Sequence, residues 1–327
     1  MVLKLSSRLS VPISHHFPRV SPRRFTFFIL GLFVGLLFWN ILDRKELLIN
    51  RTCSKHAVSP SVQSKKHSDV SKSRILCMVN THAKNYESKA VHVHNTWGRK
   101  CSKVIYTSGK KHRKLPILPI RALGRERREK LWRKLRLVLW IVHKNWLDSF
   151  DYFYRCDDDT YTMVENLRVV LEESSPTDAF IMGYRWNLSI PSGYFSGGAG
   201  YIISQSALRT IVERGFSHPK CPCDDYYADD YYISICANAV GIHFREALDR
   251  DGRRPLFYWN NIKYYFTEYP PDLNGTENER SHIFWEQYDD GETKFGPSRG
   301  HVSFHYMDAP MMYIVEFTSY YLRPAGL

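Results

Sequence analysis

Tyr152-Phe-Tyr-Arg-Cys-Asp157-Asp158-Asp159-Thr160-Tyr161 is the stretch whose reading decides the fold of this chain. Its apolar, aromatic approach, Phe150 to Tyr154, predicts a buried strand, which hands three consecutive carboxylates to its C-terminal end. Ligands of open α/β sheets bind outside the carboxyl ends of the strands. Three adjacent acids repel one another, so the cluster needs a counter-cation or full solvation. Hard cations such as Mg2+ or Mn2+ take one or two carboxylates and complete their shell with phosphate and water. One reading is therefore a strand-end metal site that grips a diphosphate. The other is a solvated acidic turn whose last Asp caps a helix over Thr160 to Glu173. A DDD triplet by itself does not separate the two.

Working outward, the flanks alternate between strands and helices. Ile75 to Val79 reads as a first strand with Asn80-Thr81-His82 as its loop, Glu87 to Trp97 as a helix, and Val104 to Tyr106 as a second strand. Gly124 to Trp146 is the clearest helix, with Leu131, Leu135, Val138, Leu139 and Val142 at three-and-four spacing. After the triple Asp, Val164, Leu167 and Leu171 mark another helix, and Ala179 to Met182 another strand. The order β-α-β-α-β-α-β predicts an α/β domain with a mostly parallel central sheet and helices on both faces.

Further along, Gly193 to Tyr201 is a Gly-rich turn entering a strand, Tyr201 to Ile203, without the spacing of a dinucleotide loop or a P-loop. Ser204 is placed to cap a helix running to Arg214. Asp229-Asp230, a second acidic concentration after Asp224-Asp225, opens an amphipathic stretch to Ala239, where Asp229 reads equally as a helix cap. Val302-Ser-Phe-His-Tyr306 alternates like a strand, and on its own His305 reads as structural. Aromatics dominate the C-terminal part, Trp285 among them; such residues serve sugar platforms and cores alike.

The formal charge of +13 suggests nucleic acid until its distribution is considered. Residues 1–72 hold twelve Lys/Arg against three Asp/Glu, leaving only +4 for residues 73–327, so a nucleic-acid partner is not expected. Phe25 to Leu42 is an uncharged apolar run long enough to span a bilayer. Basic residues without acids precede it, which predicts a cytosolic tail (1–24), a type II signal-anchor (25–42), a Ser/Lys/His-rich stem (43–72) and a lumenal domain (73–327). Seven cysteines fit an oxidising compartment. Cys221, Cys223 and Cys236 are the expected source of a bridge, and Cys77, inside an apolar strand, is expected to be a buried free thiol. Sequons at Asn50, Asn187 and Asn274 are compatible with a glycosylated lumenal domain.

In this order the motifs resemble the core 1 β1,3-galactosyltransferase family, which adds galactose to GalNAc on Ser/Thr of glycoproteins. The resemblance is carried by His94-Asn-Thr-Trp97 with Arg99-Lys-Cys101, Arg155 to Tyr161, Glu165-Asn-Leu-Arg168, Ser196-Gly-Gly-Ala-Gly-Tyr201, Ser303-Phe-His-Tyr306 and Tyr320 to Gly326, collinear over roughly residues 73–327. It implies a GT-A-type nucleotide-sugar transferase fold behind one transmembrane helix, Golgi residence, a homodimer, and inverting transfer from UDP-galactose with Mn2+ (or Mg2+). Matched residue by residue, it implies Asp157, Asp159 and His305 as metal ligands, with Thr81, Arg99, Lys134 and Asp158 around the donor. It makes one of Asp229 and Asp230, by preference Asp230, the general base, and puts Gly198, Tyr201 and Trp285 toward the acceptor.

The chain also departs from the family. Phe295 to His301 lacks the family's adjacent Cys-Cys, so at least one family disulfide is missing or rerouted. Arg253 to Tyr258 replaces another family segment, and Tyr231-Tyr232 and Ser234 stand where the family prefers Leu-Ala and Gly. These changes fall on the acceptor side. The alternatives are a β1,3-transferase of the same fold with another UDP-sugar or acceptor, and a non-catalytic relative acting as a chaperone or lectin-like binder. A two-metal phosphohydrolase would need further His/Asp ligands, which the sequence does not offer.

Overall fold

The aromatic strand forms, and the sheet is built around it. The computed structural model of the chain describes residues 73–187, 190–248, 257–258, 260–264, 298 and 300–323. The expected tail, signal-anchor and stem, the sequons at Asn50 and Asn274, and Trp285 lie outside the described residues. Among the described residues no helix is long and apolar enough to cross a membrane.

The strands of the main sheet are β1 (Ile75–Asn80), β2 (Lys103–Ser108), β3 (Ile117–Pro119), β4 (Tyr152–Asp157), β6 (Phe180–Gly183), β9 (Tyr201–Ser204) and β10 (His243–Glu246), in the spatial order β10-β6-β9-β4-β1-β2-β3. Small pieces accompany it: β5 (Tyr161–Thr162) with β11 (Phe257–Tyr258) and β12 (Ser303–Phe304), and a hairpin of β7 (Arg185–Trp186) and β8 (Tyr194–Phe195). The helices are α1 (Val91–Asn95), α2 (Leu131–Trp146), α3 (Val164–Val170), α4 (Gln205–Thr210), α5 (Asp229–Ala239) and α6 (Ala309–Tyr320).

The mostly parallel sheet is as expected, with one exception that matters. β1 pairs in parallel with β2 and β4, but β9 runs antiparallel to both β4 and β6. Its first residue, Tyr201, therefore pairs with Arg155 near the end of β4, and the Gly-rich turn before it lies at the carboxyl end of the sheet. Both faces of β1 are covered. Ile75, Cys77 and Val79 join one core cluster with Tyr152, Tyr154, Val93, Val164, Leu167, Met312 and Val315, while Leu76 and Met78 are equally buried on the opposite face. This two-sided burial is what continuous apolar strands of a parallel sheet require.

Element boundaries shift where side chains have other partners. β4 reaches Asp157, so the triple Asp straddles the strand end. The helix expected over Thr160 to Glu173 is shorter, Val164–Val170, because Tyr161 and Thr162 form β5 and pair antiparallel with Phe304 and Ser303. Its N-cap is Met163 without a side-chain bond, so Asp159 does not cap it. The helix expected from Gly124 begins at Leu131. Glu126 leaves the helical path to accept from Ser108 Oγ (2.9 Å) and the Gly109 amide (3.0 Å). Ser204 does cap α4, accepting from the Ala207 amide.

Motifs that share no sequence neighbourhood meet in the core. Trp97 is fully buried and donates its Nε1 to the carbonyl of Thr160 at 2.9 Å, holding the turn behind the triple Asp. Tyr320 in α6 donates to Glu165 Oε2 at 2.5 Å, and Tyr161 donates to Glu316 Oε2 at 2.7 Å. Cys77 is not a free thiol, as its apolar strand suggested. It is bonded to Cys101, which ties β1 to the turn before β2. The free cysteine among the described residues is the buried Cys156. Cys221 bonds Cys236, as their proximity in sequence indicated, and Cys223 is disulfide-bonded as well.

The Cys77–Cys101 bridge closes a loop with a sequence separation of 24 residues, for which chain entropy gives about 3 kcal/mol. The double substitution Cys77→Ala/Cys101→Ala is expected to lower the thermal midpoint by about 5–10 °C. Differential scanning calorimetry reads this directly, and a midpoint within a degree of the parent would remove the bridge from the account of stability.

Candidate functional site

The site is assembled by two strand ladders. β1 and β4 run in register, so Asn80 lies opposite Asp157. The β5–β12 ladder places Phe304 opposite Tyr161, and a bond from the Met307 amide to the Asp159 carbonyl (2.8 Å) continues it. This carries His305 across more than 140 positions of sequence to the triple Asp. Its Nε2 lies 3.2 Å from Asp159 Oδ1 and 4.0 Å from Asp157 Oδ2.

One ligand atom each from Asp157, Asp159 and His305 falls within 4.8 Å of the others. Two carboxylate oxygens and an imidazole nitrogen at that separation form a donor set suited to a hard or borderline divalent cation. Asp158 points elsewhere. Its Oδ2 accepts from the Thr81 hydroxyl (2.7 Å) and Asn85 Nδ2 (3.1 Å), which makes it a buried brace to the loop after β1.

The Gly-rich turn packs directly against the cluster. A Cβ on Gly198 would lie 1.9 Å from His305 Cε1, so only glycine lets the imidazole reach its place. Thr160 Oγ1 donates to the Gly198 carbonyl at 2.6 Å. Gly197 lies against Arg155, where a Cβ would come within 2.4 Å of Nη1. Arg155 is buried and bridges the two acidic groups, with Nη2 at 3.1 Å from Asp157 Oδ1 and 2.7 Å from Asp229 Oδ2.

The acidic pair opens α5, but neither member serves as its N-cap, which is Ala228. Asp229 is buried and committed to Arg155. Asp230, half-buried, accepts from the amides of Gly197 (3.0 Å) and Tyr231 (2.9 Å) and has no ion pair of its own among the described residues. Burial lifts both carboxyls above the ordinary range, against the pull of Arg155. Asp158 is likewise raised by burial, to about 6. Burial acts the same way on Asp159, but His305 and Lys89 outweigh it and hold that carboxyl at about 2.

The remaining sequence-derived candidates divide. Thr81 and Lys134 are joined, since Lys134 Nζ donates to the Thr81 carbonyl at 2.6 Å and to Glu126 Oε1 at 2.5 Å. Arg99 is exposed and, among the described residues, forms no hydrogen bond or ion pair with the carboxylates; its charge acts on His94 and Tyr106 instead. Tyr201, expected toward an acceptor, is fully buried with its ring beneath the Arg155 guanidinium, so it forms a floor to the site. Gly198 backs His305.

Four site residues escaped the sequence reading. Lys89 ion-pairs with Asp159 at 2.8 Å, Asn80 Nδ2 donates to Asp157 at 3.1 Å, Asn85 holds Asp158, and Glu126 neutralises Lys134. Glu126 sat in a polar helix start and Lys89 on a short helix, and neither signal distinguishes a site from a solvated face.

Comparison with known proteins agrees with the geometry. Glycoprotein-N-acetylgalactosamine 3-β-galactosyltransferase 1 of Xenopus laevis is 29% identical over 299 residues, 90% of this chain and 78% of that protein. A β-1,3-glucosyltransferase of Mus musculus is 23% identical over 192 residues, 58% of this chain and 38% of that one. No protein-family model matches. Among solved structures, a glycosyltransferase involved in glycosylation of the PBCV-1 major capsid is 13% identical, covers 52% of this chain and 79% of its own, and has a TM-score of 0.33. The catalytic domain of Drosophila β1,4-galactosyltransferase 7, complexed with xylobiose, is 12% identical with 54% and 66% coverage and a TM-score of 0.32. This chain is similar in sequence to a core 1 β1,3-galactosyltransferase, and it is a glycosyltransferase.

Proposed function

We propose that the chain is an inverting, metal-dependent β1,3-galactosyltransferase of GT-A-type fold. It moves galactose from UDP-galactose to the 3-OH of GalNAc on Ser/Thr of glycoproteins, as a single-pass type II protein of the Golgi membrane and as a homodimer. The observation that carries the reading is the convergence of Asp157, Asp159 and His305 at the carboxyl edge of the sheet, coupled through Arg155 to a second pair of carboxylates.

A divalent cation on these three residues supplies Lewis-acid neutralisation of the departing diphosphate. The protein supplies the rest. The braces from Asn80, Thr81 and Asn85 fix the carboxylates before substrate arrives, so little reorganisation remains at the moment of reaction. Asp230 takes the proton of the acceptor hydroxyl as its oxygen attacks the anomeric carbon and the diphosphate leaves from the opposite face. One displacement turns α into β. Asp230 suits this role better than Asp229, which is ion-paired through Oδ2 to Arg155, whereas Asp230 has no ion pair among the described residues. A raised carboxyl also makes a stronger base near neutral pH.

One observation favours a second reading, the same chemistry on a different acceptor. Next to Asp230, Tyr231 meets Tyr194 edge-on at 5.5 Å and Tyr232 at 5.2 Å, and Tyr232 stacks on Tyr226 at 4.2 Å. This aromatic cluster stands where the family prefers Leu-Ala. The full chain with Mn2+, a panel of UDP-sugars and a GalNAc-peptide separates the readings. Transfer to other glycans alone selects the second, and no Mn2+-dependent handling of any UDP-sugar overturns both.

Asp159→Ala is expected to weaken Mn2+-dependent UDP binding by at least about 100-fold, measured by isothermal titration calorimetry; retained affinity contradicts the ligand assignment. Asp230→Asn is expected to leave UDP affinity within about twofold while kcat falls about 10²–10⁴-fold. If Asp229→Asn behaves that way and Asp230→Asn does not, the base is Asp229. Because burial raises Asp230, its base form is lost as pH falls while still above the ordinary carboxyl value of about 4. The acid limb of kcat/KM should lie above that value and disappear in Asp230→Asn. Gly198→Ala should drive His305 from the cluster, lowering Mn2+ affinity with an unchanged circular dichroism spectrum. Normal Mn2+ affinity in that variant would remove His305 from the ligand set.

A further inference from the structure

The three carboxylates of the triple Asp are each met by a different donor from the end of β1 and the segment that follows it. Asn80 serves Asp157, Thr81 and Asn85 serve Asp158, and Lys89 serves Asp159. Lys89 is the one charged member. Its Nζ lies 2.8 Å from Asp159 Oδ2 and 4.0 Å from Asp158 Oδ1, and its side chain is 40% exposed. Asp159 thus divides its oxygens, Oδ1 toward His305 and Oδ2 toward Lys89. The ammonium neutralises part of the charge that a cation at the Asp157–Asp159–His305 group would neutralise, and it does so from the solvent side.

We infer that Lys89 is a donor-binding residue that changes partner: it balances Asp159 in the ion-free protein and pairs with the diphosphate of a nucleotide-sugar once a divalent cation occupies the site. The inference rests on the metal-dependent reading of the site given above. It follows from charge. A divalent ion beside Asp159 repels an ammonium a few ångströms away, and an exposed four-carbon stem lets that ammonium move. The incoming diphosphate brings the negative charge that Asp159 no longer offers.

This role has a signature that a purely structural lysine lacks, because its two effects have opposite sign. In Lys89→Met and Lys89→Gln, Mn2+ alone should bind about five- to tenfold more tightly, since a competing positive charge is gone. UDP in the presence of saturating Mn2+ should bind about tenfold more weakly, since a charge-assisted contact is lost. Lys89→Arg should keep UDP affinity within about threefold of the parent. Mn2+ titration followed by electron paramagnetic resonance and UDP titration by calorimetry, both on the full chain, read the two arms separately. If both affinities fall in Met and Gln variants that retain the parent circular dichroism spectrum, Lys89 merely orients Asp159 and the inference is overturned. If neither changes, Lys89 is a solvated counter-ion and the inference is equally overturned. Absence of Mn2+ binding in the parent chain would sink the metal reading itself, whereas Mn2+ binding without UDP binding would sink only the assignment of a nucleotide donor.

Discussion

Five carboxylates, Asp157, Asp158, Asp159, Asp229 and Asp230, are drawn toward one edge of one sheet, and like charges at that density must be separated, neutralised or protonated. Much of the local structure reads as an answer to this constraint. Arg155 is buried between the two groups and bonds to both. Thr81 and Asn85 turn Asp158 away, Lys89 and His305 hold Asp159, and backbone amides of Gly197 and Tyr231 hold Asp230. Breaking one buried charge pair by removing a partner costs several kcal/mol, because the other charge is left uncompensated. The cluster is therefore costly to maintain, and its persistence is best explained by what it binds.

The same constraint explains the Gly-rich turn. Three neighbours, Arg155, His305 and Tyr154, press against Gly197, Gly198 and Gly200, and a Cβ at any of these positions would meet them at 2.4 Å or less. Gly200 also adopts a positive φ of 85°, which other residues rarely do. The glycines let backbone close over a guanidinium and an imidazole. They serve side-chain packing at the site, whatever else approaches it.

How much of this could be read from sequence depends on range. The strand leading to Asp157, the alternation of strands and helices, and the cap at Ser204 depend on neighbours in the chain, and all were legible. The reversal of β9 was not, because an apolar run carries no direction. The two-residue strand Tyr161–Thr162 looked helical, since only its pairing with Ser303–Phe304 makes it a strand. Cys77 looked like a core thiol because Cys101 becomes its neighbour only when β1 and β2 pair. Asp157 and Asp159 announced themselves by density of charge, and His305 only through the family resemblance. Lys89 and Glu126 are ordinary surface residues in sequence and acquire meaning only from the carboxylate or ammonium that folding sets beside them.

Everything proposed for the site depends on where a divalent cation binds. The most direct measurement is an anomalous difference map from crystals of the protein grown with Mn2+ and UDP. It should show one peak at the carboxyl edge of the sheet, at about 2–2.5 Å from oxygens of Asp157 and Asp159 and from Nε2 of His305, with diphosphate density completing its shell. A peak elsewhere, or ordered UDP with no metal between it and these residues, would contradict the account.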